Sequence, residues 1–209
     1  MLTSIILAGG KSSRLGRCKL SESLSGKSLI EHVIGRLEPI SNHILIVTAE
    51  EQSRFLLTNK AEVVTDIYPG KGPLGGIYTG LLASKSPYSL VVGCDMPFLN
   101  INLLHYMVDQ IQGFDAVVPR LEMDKIEPLH AIYSRRCADI IQTQLEHEHL
   151  KISQTLDMLH VRYVQWEECN RFDPQFLSFF NINSPSDLKR ATKINEEGAL
   201  KVTTSLRAR

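Results

Sequence analysis

Cysteine is sparse in this 209-residue chain, and its four copies, Cys18, Cys94, Cys137 and Cys169, stand far apart with no C-x-x-C pair. That spacing argues against a zinc site and a disulfide framework and fits reduced thiols in the cytosol. An excess of one charge is also missing. Lysine plus arginine number 23 and aspartate plus glutamate 23, so no global field would hold the chain on nucleic acid or an anionic membrane. Any phosphate binding has to be local. Long apolar runs are absent too: the opening MLTSIILAGG has no basic n-region, and no later stretch reaches the roughly 20 residues that cross a bilayer. A soluble, unexported, cytoplasmic protein is expected. With no repeat, linker or low-complexity block, the chain reads as one domain over residues 1–193 and a tail over 194–209. The closing NEEGALKVTTSLRAR has little apolar periodicity.

What is present is an alternation of short β-branched runs with longer segments of helical period, the pattern of an α/β fold with a mainly parallel sheet. Strands are expected near Thr3 to Leu7, His43 to Thr48, Glu62 to Thr65, Ser89 to Gly93, Ala116 to Pro119, Ala131 to Tyr133 and Arg162 to Gln165. Ser28 before LIEHVIGRL, with Glu31 three residues on, predicts a capping box, and Pro39 a stop. Further helices are expected over Glu51 to Leu57, Gly75 to Ser84, Asn102 to Gln112, Arg136 to Glu146 and Ile152 to Leu159. Another starts at Asn183-Ser184-Pro185-Ser186-Asp187, with Ser184 as cap and Pro185 at the first helical position.

The first strand runs straight into Leu7-Ala8-Gly9-Gly10-Lys11-Ser12-Ser13-Arg14-Leu15-Gly16-Arg17-Cys18-Lys19. This loop begins at the carboxyl end of a strand, the edge where open α/β sheets bind ligands. Gly9 and Gly10 let backbone amides approach phosphate oxygens or a base edge, and Lys11, Arg14, Arg17 and Lys19 supply cations suited to phosphate. A flexible solvated turn is the competing reading, and position after strand one favours phosphate.

Two other glycine loops fail inspection. Gly26-Lys27-Ser28 ends like a P-loop, but Ser21 stands where the earlier glycine must be. Gly70-Lys71-Gly72-Pro73-Leu74-Gly75 satisfies G-x-G-x-x-G, with Asp95 twenty residues on. Its first glycine nevertheless follows Asp66-Ile67-Tyr68-Pro69 instead of the strand itself, and Pro73 removes an amide from any cradle. The segment still opens a helix whose amino terminus could meet an anion or a nucleobase.

Aspartates end two strands. Asp95, in Cys94-Asp95-Met96-Pro97, is placed to bind a divalent cation beside polyphosphate, since magnesium needs one or two carboxylates with waters and substrate phosphates. Asp66 could hold a ribose, a metal-bound water or the loop. The plain alternatives are that Asp95 caps the helix after Pro97 and that Asp66 starts a turn. Two weaker motifs read as structure. His147-Glu148-His149 places its imidazoles on different sides of a helix, a solvated face, and Trp166 with Phe176, Phe179 and Phe180 either lines a pocket for a flat ring or is core.

Five ordered elements resemble the molybdenum cofactor guanylyltransferases, also called molybdopterin-guanine dinucleotide biosynthesis protein A, over almost the whole chain. Leu7 to Lys19 resembles L-A-G-G-x-S-x-R-M-G-x-D-K, Pro73 to Gly76 resembles P-L-x-G, and Cys94 to Pro97 matches C-D-M-P. Glu127 to Tyr133 is similar to Q-P-L-x-A-L-Y, and Asn181 to Leu188 to N-x-N-T-P-x-D-L. Cys18 stands where that pattern has an acid, and Glu127 where it has an amide.

The resemblance implies a Rossmann-like three-layer sandwich of nucleotide-diphospho-sugar transferase type, with one late strand antiparallel. It implies transfer of GMP from GTP to the phosphate of molybdopterin, with release of pyrophosphate and magnesium as cofactor. Leu7, Ala8, Gly9, Gly10, Lys19, Asp66, Gly75 and Asp95 would then bind nucleotide, and Arg14 and Lys19 would neutralise its phosphates. Asp95 would bind the metal, and Asn183 would act on the acceptor side. GTP, molybdopterin and, transiently, the proteins that insert or receive the cofactor are the implied partners. Two rivals are a transferase using CTP or another phosphorylated acceptor, and a nucleotide-binding regulator without turnover.

Overall fold

The computed structural model describes residues 1–9, 22–49 and 59–207, with side chains described through residue 197. The expected helix at Glu51 to Leu57 and the basic loop, with Gly10, Lys11, Arg14, Arg17, Cys18 and Lys19, lie outside the described residues.

The chain runs β1 (Leu2–Leu7), β2 (Ser23–Leu24), β3 (Lys27–Ser28), α1 (Leu29–Leu37), β4 (His43–Thr48), β5 (Glu62–Thr65), α2 (Gly72–Ala83) and β6 (Tyr88–Gly93). It continues with α3 (Ile101–Asp109), β7 (Ala116–Pro119), β8 (His130–Ser134), α4 (Cys137–Glu146), α5 (Ile152–Leu156), β9 (Val161–Val164), α6 (Trp166–Phe172) and α7 (Pro185–Arg207). Seven strands form one sheet in the order β5-β4-β1-β6-β8-β7-β9. Strand β8 runs antiparallel to both β6 and β7, and every other pairing is parallel, so the single reversed late strand is present as expected.

Parallel strands covered on both faces read as unbroken apolar runs, and all six residues of β1 are buried. Alternate side chains then divide between two cores. Ile6, Ile46 and Val92 pack with α1 and α3 on one face, while Ile5, Leu45 and Val91 pack with α2 and α4 on the other. This is the three-layer sandwich. Helix α2 presses hard on β1. A Cβ at Gly80 would lie 2.6 Å from Ile5 Cγ2, and one at Gly76 3.1 Å from Leu7 Cδ2.

The predicted caps form as written. Glu31 N–H donates to Ser28 Oγ while Glu31 Oε2 accepts from Ser28 N–H at 2.8 Å, and Asp187 closes the corresponding box on Ser184 at the start of α7. Four differences have physical causes. Gly26-Lys27-Ser28 is a hairpin: Ser25 and Gly26 both take positive φ, the signature of a type I′ turn, and bring β2 against β3. Helix α6 was not foreseen, because its capping box is built on Gln165 and Glu168 instead of a short polar cap. Helix α4 stops at Glu146, and Glu148 turns left-handed at φ 60, so His147 and His149 stack at 6.1 Å and do not diverge. The backbone expected to fray after residue 194 is helical to Arg207, through residues such as Glu, Ala, Leu and Lys that favour helix without needing an apolar face.

Candidate active site

Beyond β1 the chain leads next into β4, on one side, and it later returns to β6 on the other. The direction of winding therefore reverses between β1 and β6, the topological switch point at which open α/β sheets take ligands outside the strands' carboxyl ends. Backbone ladders carry past the strand ends on this rim: Ala8 N–H donates to Val47 O at 2.8 Å, Cys94 N–H to Leu7 O at 3.1 Å, and Asp66 N–H to Thr48 O at 2.8 Å. Ala8, Gly9, Asp66 and Asp95 thus line one edge of the sheet, with Ala8 and Gly9 between the two aspartates, as their positions in the sequence require. Three strand spacings separate Asp66 from Asp95, roughly 14 Å at the usual interval of about 4.8 Å, so the two cannot grip the same cation.

Each candidate has its own setting. Gly9 is exposed, and among the described residues nothing lies within 4 Å of a Cβ built there, so packing within them does not explain the glycine. Gly75 differs: a Cβ would meet Tyr68 O at 2.8 Å, which makes this glycine a condition for seating the turn before α2. That helix has no side-chain cap and no acidic residue in its first turn, so its own residues do not offset the positive end of its dipole. Asp66 Oδ1 accepts from Tyr68 N–H at 3.0 Å and from Thr79 Oγ1 at 3.0 Å, an aspartate turn locked to the helix that follows. The turn-forming role is therefore real.

Asp95 does not cap the next helix, because Asn100 does, receiving Leu103 N–H at 3.1 Å. Instead its carboxylate folds back over Gly93, where a Cβ would stand 2.5 Å from Oδ1, and its backbone carbonyl accepts Ile182 N–H at 3.0 Å. That bond brings the Asn181–Asn183 segment to the same point of the rim. Asn183 is exposed there, with its N–H donating to Asp187 Oδ2.

Among the described residues, no three histidine, cysteine or acidic side chains gather in a metal cage. The half-buried Asp95 carboxylate still fits magnesium, whose other ligands come from water and phosphate. His147 and His149 are exposed, and Glu148 pairs with Lys71, so this motif is a solvated face.

Strands β8, β7 and β9 continue the rim past Asp95 with residues the sequence reading largely missed. Among the described residues, Arg120 Nε, both ring nitrogens of His130 and Asn181 Oδ1 are buried without a hydrogen-bond partner, and the buried Glu127 Oε1 is ion-paired with Lys125 at 2.6 Å. Two of them carried a signal: Glu127 departs from an amide pattern, and Asn181 opens the N-x-N-T-P-x-D-L element. The aromatic group is half core and half rim: Phe179 is buried against His130 at 4.7 Å, and half-buried Trp166 stacks on Phe176 at 5.7 Å.

A doubly wound sheet with an exposed glycine after β1, a helix start without a side-chain cap and a half-buried aspartate beside its switch point is an arrangement in which open α/β sheets bind nucleotides. Likeness to known proteins narrows it to a nucleotidyltransferase. Residues 4–160 match the MobA-like NTP transferase domain. The chain is 32% identical over 201 residues to a molybdenum cofactor guanylyltransferase of Desulfosudis oleivorans, covering 95% of this chain and 98% of that one. It is also similar to the crystal structure of molybdopterin-guanine dinucleotide biosynthesis protein A from Archaeoglobus fulgidus, with a TM-score of 0.82, 32% identity and coverage of 93% and 99%. A 4-diphosphocytidyl-2C-methyl-D-erythritol synthase from Anaerococcus prevotii shares the fold alone, at a TM-score of 0.70, 13% identity and coverage of 93% and 98%. The chain belongs to the molybdenum cofactor guanylyltransferase family.

Proposed function

We propose that the protein transfers GMP from GTP to the terminal phosphate of molybdopterin, releasing pyrophosphate and forming the guanine dinucleotide of the cofactor. The observation that carries this reading is the place of Asp95. It stands where the half of the rim built by β5, β4 and β1 meets the half built by β8, β7 and β9. A donor on the first half and an acceptor on the second would bring their phosphates together there.

In the reaction an oxygen of the acceptor phosphate forms a bond to the α-phosphorus of GTP, and the bond from that phosphorus to the α,β-bridging oxygen breaks. The electron pair leaves with pyrophosphate. The attacking phosphate is already anionic near neutral pH, so no general base is needed and no covalent protein intermediate forms. The chain's task is alignment, which contributes up to about 7–11 kcal/mol in favourable cases, together with charge compensation. Asp95 would hold magnesium, which offsets the repulsion between the two phosphates when bound. Lys19 and Arg14 add positive charge from the loop after β1. The backbone of Leu7 to Gly10 and the start of α2, at Gly75, would border the base and phosphates, and Asp66 would hold the nucleotide at the far end. Asn183, beside Asp95, serves the acceptor.

The test is pyrophosphate release from GTP and molybdopterin with magnesium, repeated with CTP. GTP is expected to support turnover and CTP far less. Asp95→Ala is expected to abolish release with an unchanged circular dichroism spectrum, and near-normal turnover in that variant would refute its assignment. Tight GTP binding without release would mark a regulator instead.

A further inference from the structure

From Leu74 to Leu81 helix α2 is buried throughout, and only Tyr78 and Thr79 bring polar side chains into that stretch. Tyr78 donates its hydroxyl to Gln142 Oε1 at 3.0 Å, on the neighbouring helix α4. Thr79 is 2% exposed. Packing does not ask for its oxygen, because valine has the same shape and brings no group that needs a partner. A buried hydroxyl in such a helix therefore has a polar cause.

That cause lies at the end of β5. Thr79 Oγ1 accepts Ile67 N–H at 3.2 Å and stands 3.0 Å from both Asp66 Oδ1 and Gly75 O, with its single hydrogen shared between them. The contact with Gly75 O is the local return to a carbonyl four residues back that threonine makes in many helices. Ile67 and Asp66 belong to another element, and reaching them requires a hydroxyl at this position. Tyr68 N–H also donates to Asp66 Oδ1, at 3.0 Å, so both of the donors that the protein turns on this carboxylate fall on one oxygen. Among the described residues Oδ2 receives none. Two donors, one from the turn and one from the helix, fix the orientation of a half-buried carboxylate while leaving its second oxygen to a ligand. The helix that supplies the hydroxyl is itself held in place. Gly76 and Gly80 let α2 close on Leu7 and Ile5 of β1, the strand that leads into the glycine turn.

We propose that Thr79 is a positioning residue for GTP: its hydroxyl orients the Asp66 carboxylate so that Oδ2 is presented to the nucleotide. Its place in α2 ties that carboxylate to the helix start and to β1. The proposal rests on the guanylyl-transfer reading and adds to it a residue that touches no substrate.

The test is calorimetric titration of GTP with magnesium into the full chain, as wild type, Thr79→Val, Thr79→Ala and Thr79→Ser, with pyrophosphate release measured alongside. Valine and alanine both remove the hydroxyl, at constant and at reduced volume, and serine keeps it. GTP affinity is expected to fall about tenfold in both hydroxyl-free variants, as loss of a hydrogen bond to a charged group requires, and to stay within about twofold of wild type in the serine variant. The GTP KM should move in step, with kcat and the molybdopterin KM unchanged. In an Asp66→Ala background Thr79→Val should cost no further affinity, a coupling that a role in packing alone would not produce. Asp66→Asn reads the same geometry with Thr79 intact. The two donors would hold its amide oxygen and leave its NH2 where the nucleotide needs an acceptor, so GTP affinity should again fall about tenfold. The positioning role is overturned by unchanged affinity in the hydroxyl-free variants or in Asp66→Asn, by an equal loss in the serine variant, or by a valine effect undiminished beside Asp66→Ala. A molybdopterin KM that rises with the GTP KM overturns it as well, and in each case guanylyl transfer is left standing. Absence of GTP binding and of pyrophosphate release with wild-type protein would instead refute the transfer.

Discussion

Replacing His130 by leucine should flatten the acid limb of the protein's stability profile. The imidazole is fully buried on β8, and burial pushes its pKa down from 6.5 to about 4. At neutral pH the ring is uncharged in both folded and unfolded chains, so it costs nothing electrostatically. As pH falls below 6.5 the unfolded chain takes up a proton that the folded chain refuses, and stability drops until the folded ring titrates near 4. One pKa unit corresponds to about 1.4 kcal/mol, so the loss amounts to about 2 kcal/mol at pH 5 and about 3 kcal/mol when complete. Leucine fills a similar space, leaves no unpartnered nitrogen and binds no proton. Urea unfolding at intervals from pH 7.5 to pH 5, followed by circular dichroism, should show the stabilities of wild type and His130→Leu diverging in the variant's favour by about 2 kcal/mol. Parallel profiles would refute the argument, because they would mean that the folded ring titrates as freely as the unfolded one.

Gly80→Ala should cost about 1–3 kcal/mol by overpacking, since the new Cβ would fall 2.6 Å from Ile5 Cγ2; a melting temperature lowered by several degrees would show it. Ser28→Ala removes the oxygen that receives Glu31 N–H and should lower stability by about 1 kcal/mol in urea titrations, with no change in GTP affinity. Glu168→Ala strands Arg162, a half-buried partner, together with the Tyr106 hydroxyl, for an expected loss of about 1–3 kcal/mol at pH 7. Burial pushes the Glu168 carboxyl up, but its bonds from Arg162 and Tyr106 hold it below the usual carboxylate range. The wild-type advantage is therefore present above the unfolded carboxyl's pKa and shrinks as pH falls through the folded one, so the two profiles should converge in acid.

The strands and most helices were legible because their signals are local. A buried parallel strand such as Ser89 to Gly93 announces itself as an apolar run, and Ser28 with Glu31 writes a helix start into four residues. Gly26-Lys27-Ser28 carried no such signal. Its hairpin exists because Leu24 and Leu29 need cover, which Ile182 and Ala191 give from more than 150 residues away. Helix α6 was hidden for a related reason: Trp166, Cys169 and Phe172 are too few to display a period, and its cap is glutamine.

The site divides in the same way. Gly9, Asp66 and Asp95 follow the carboxyl ends of parallel strands, so a rule about strand ends finds all three and places them on one rim. Glu127 and His130 escape that rule because β8 runs backwards, and a reversed strand delivers its beginning, not its end, to the carboxyl edge. Pairing β8 between β6 and β7 thus does two things at once. It closes the gap between two parallel strands, and it sets the tight turn at its amino end next to Asp95. A fully parallel sheet would put the residue after β8 on this rim and send Glu127 to the opposite edge. The one antiparallel strand of this sheet is therefore what brings the buried Glu127 and His130 to this half of the rim.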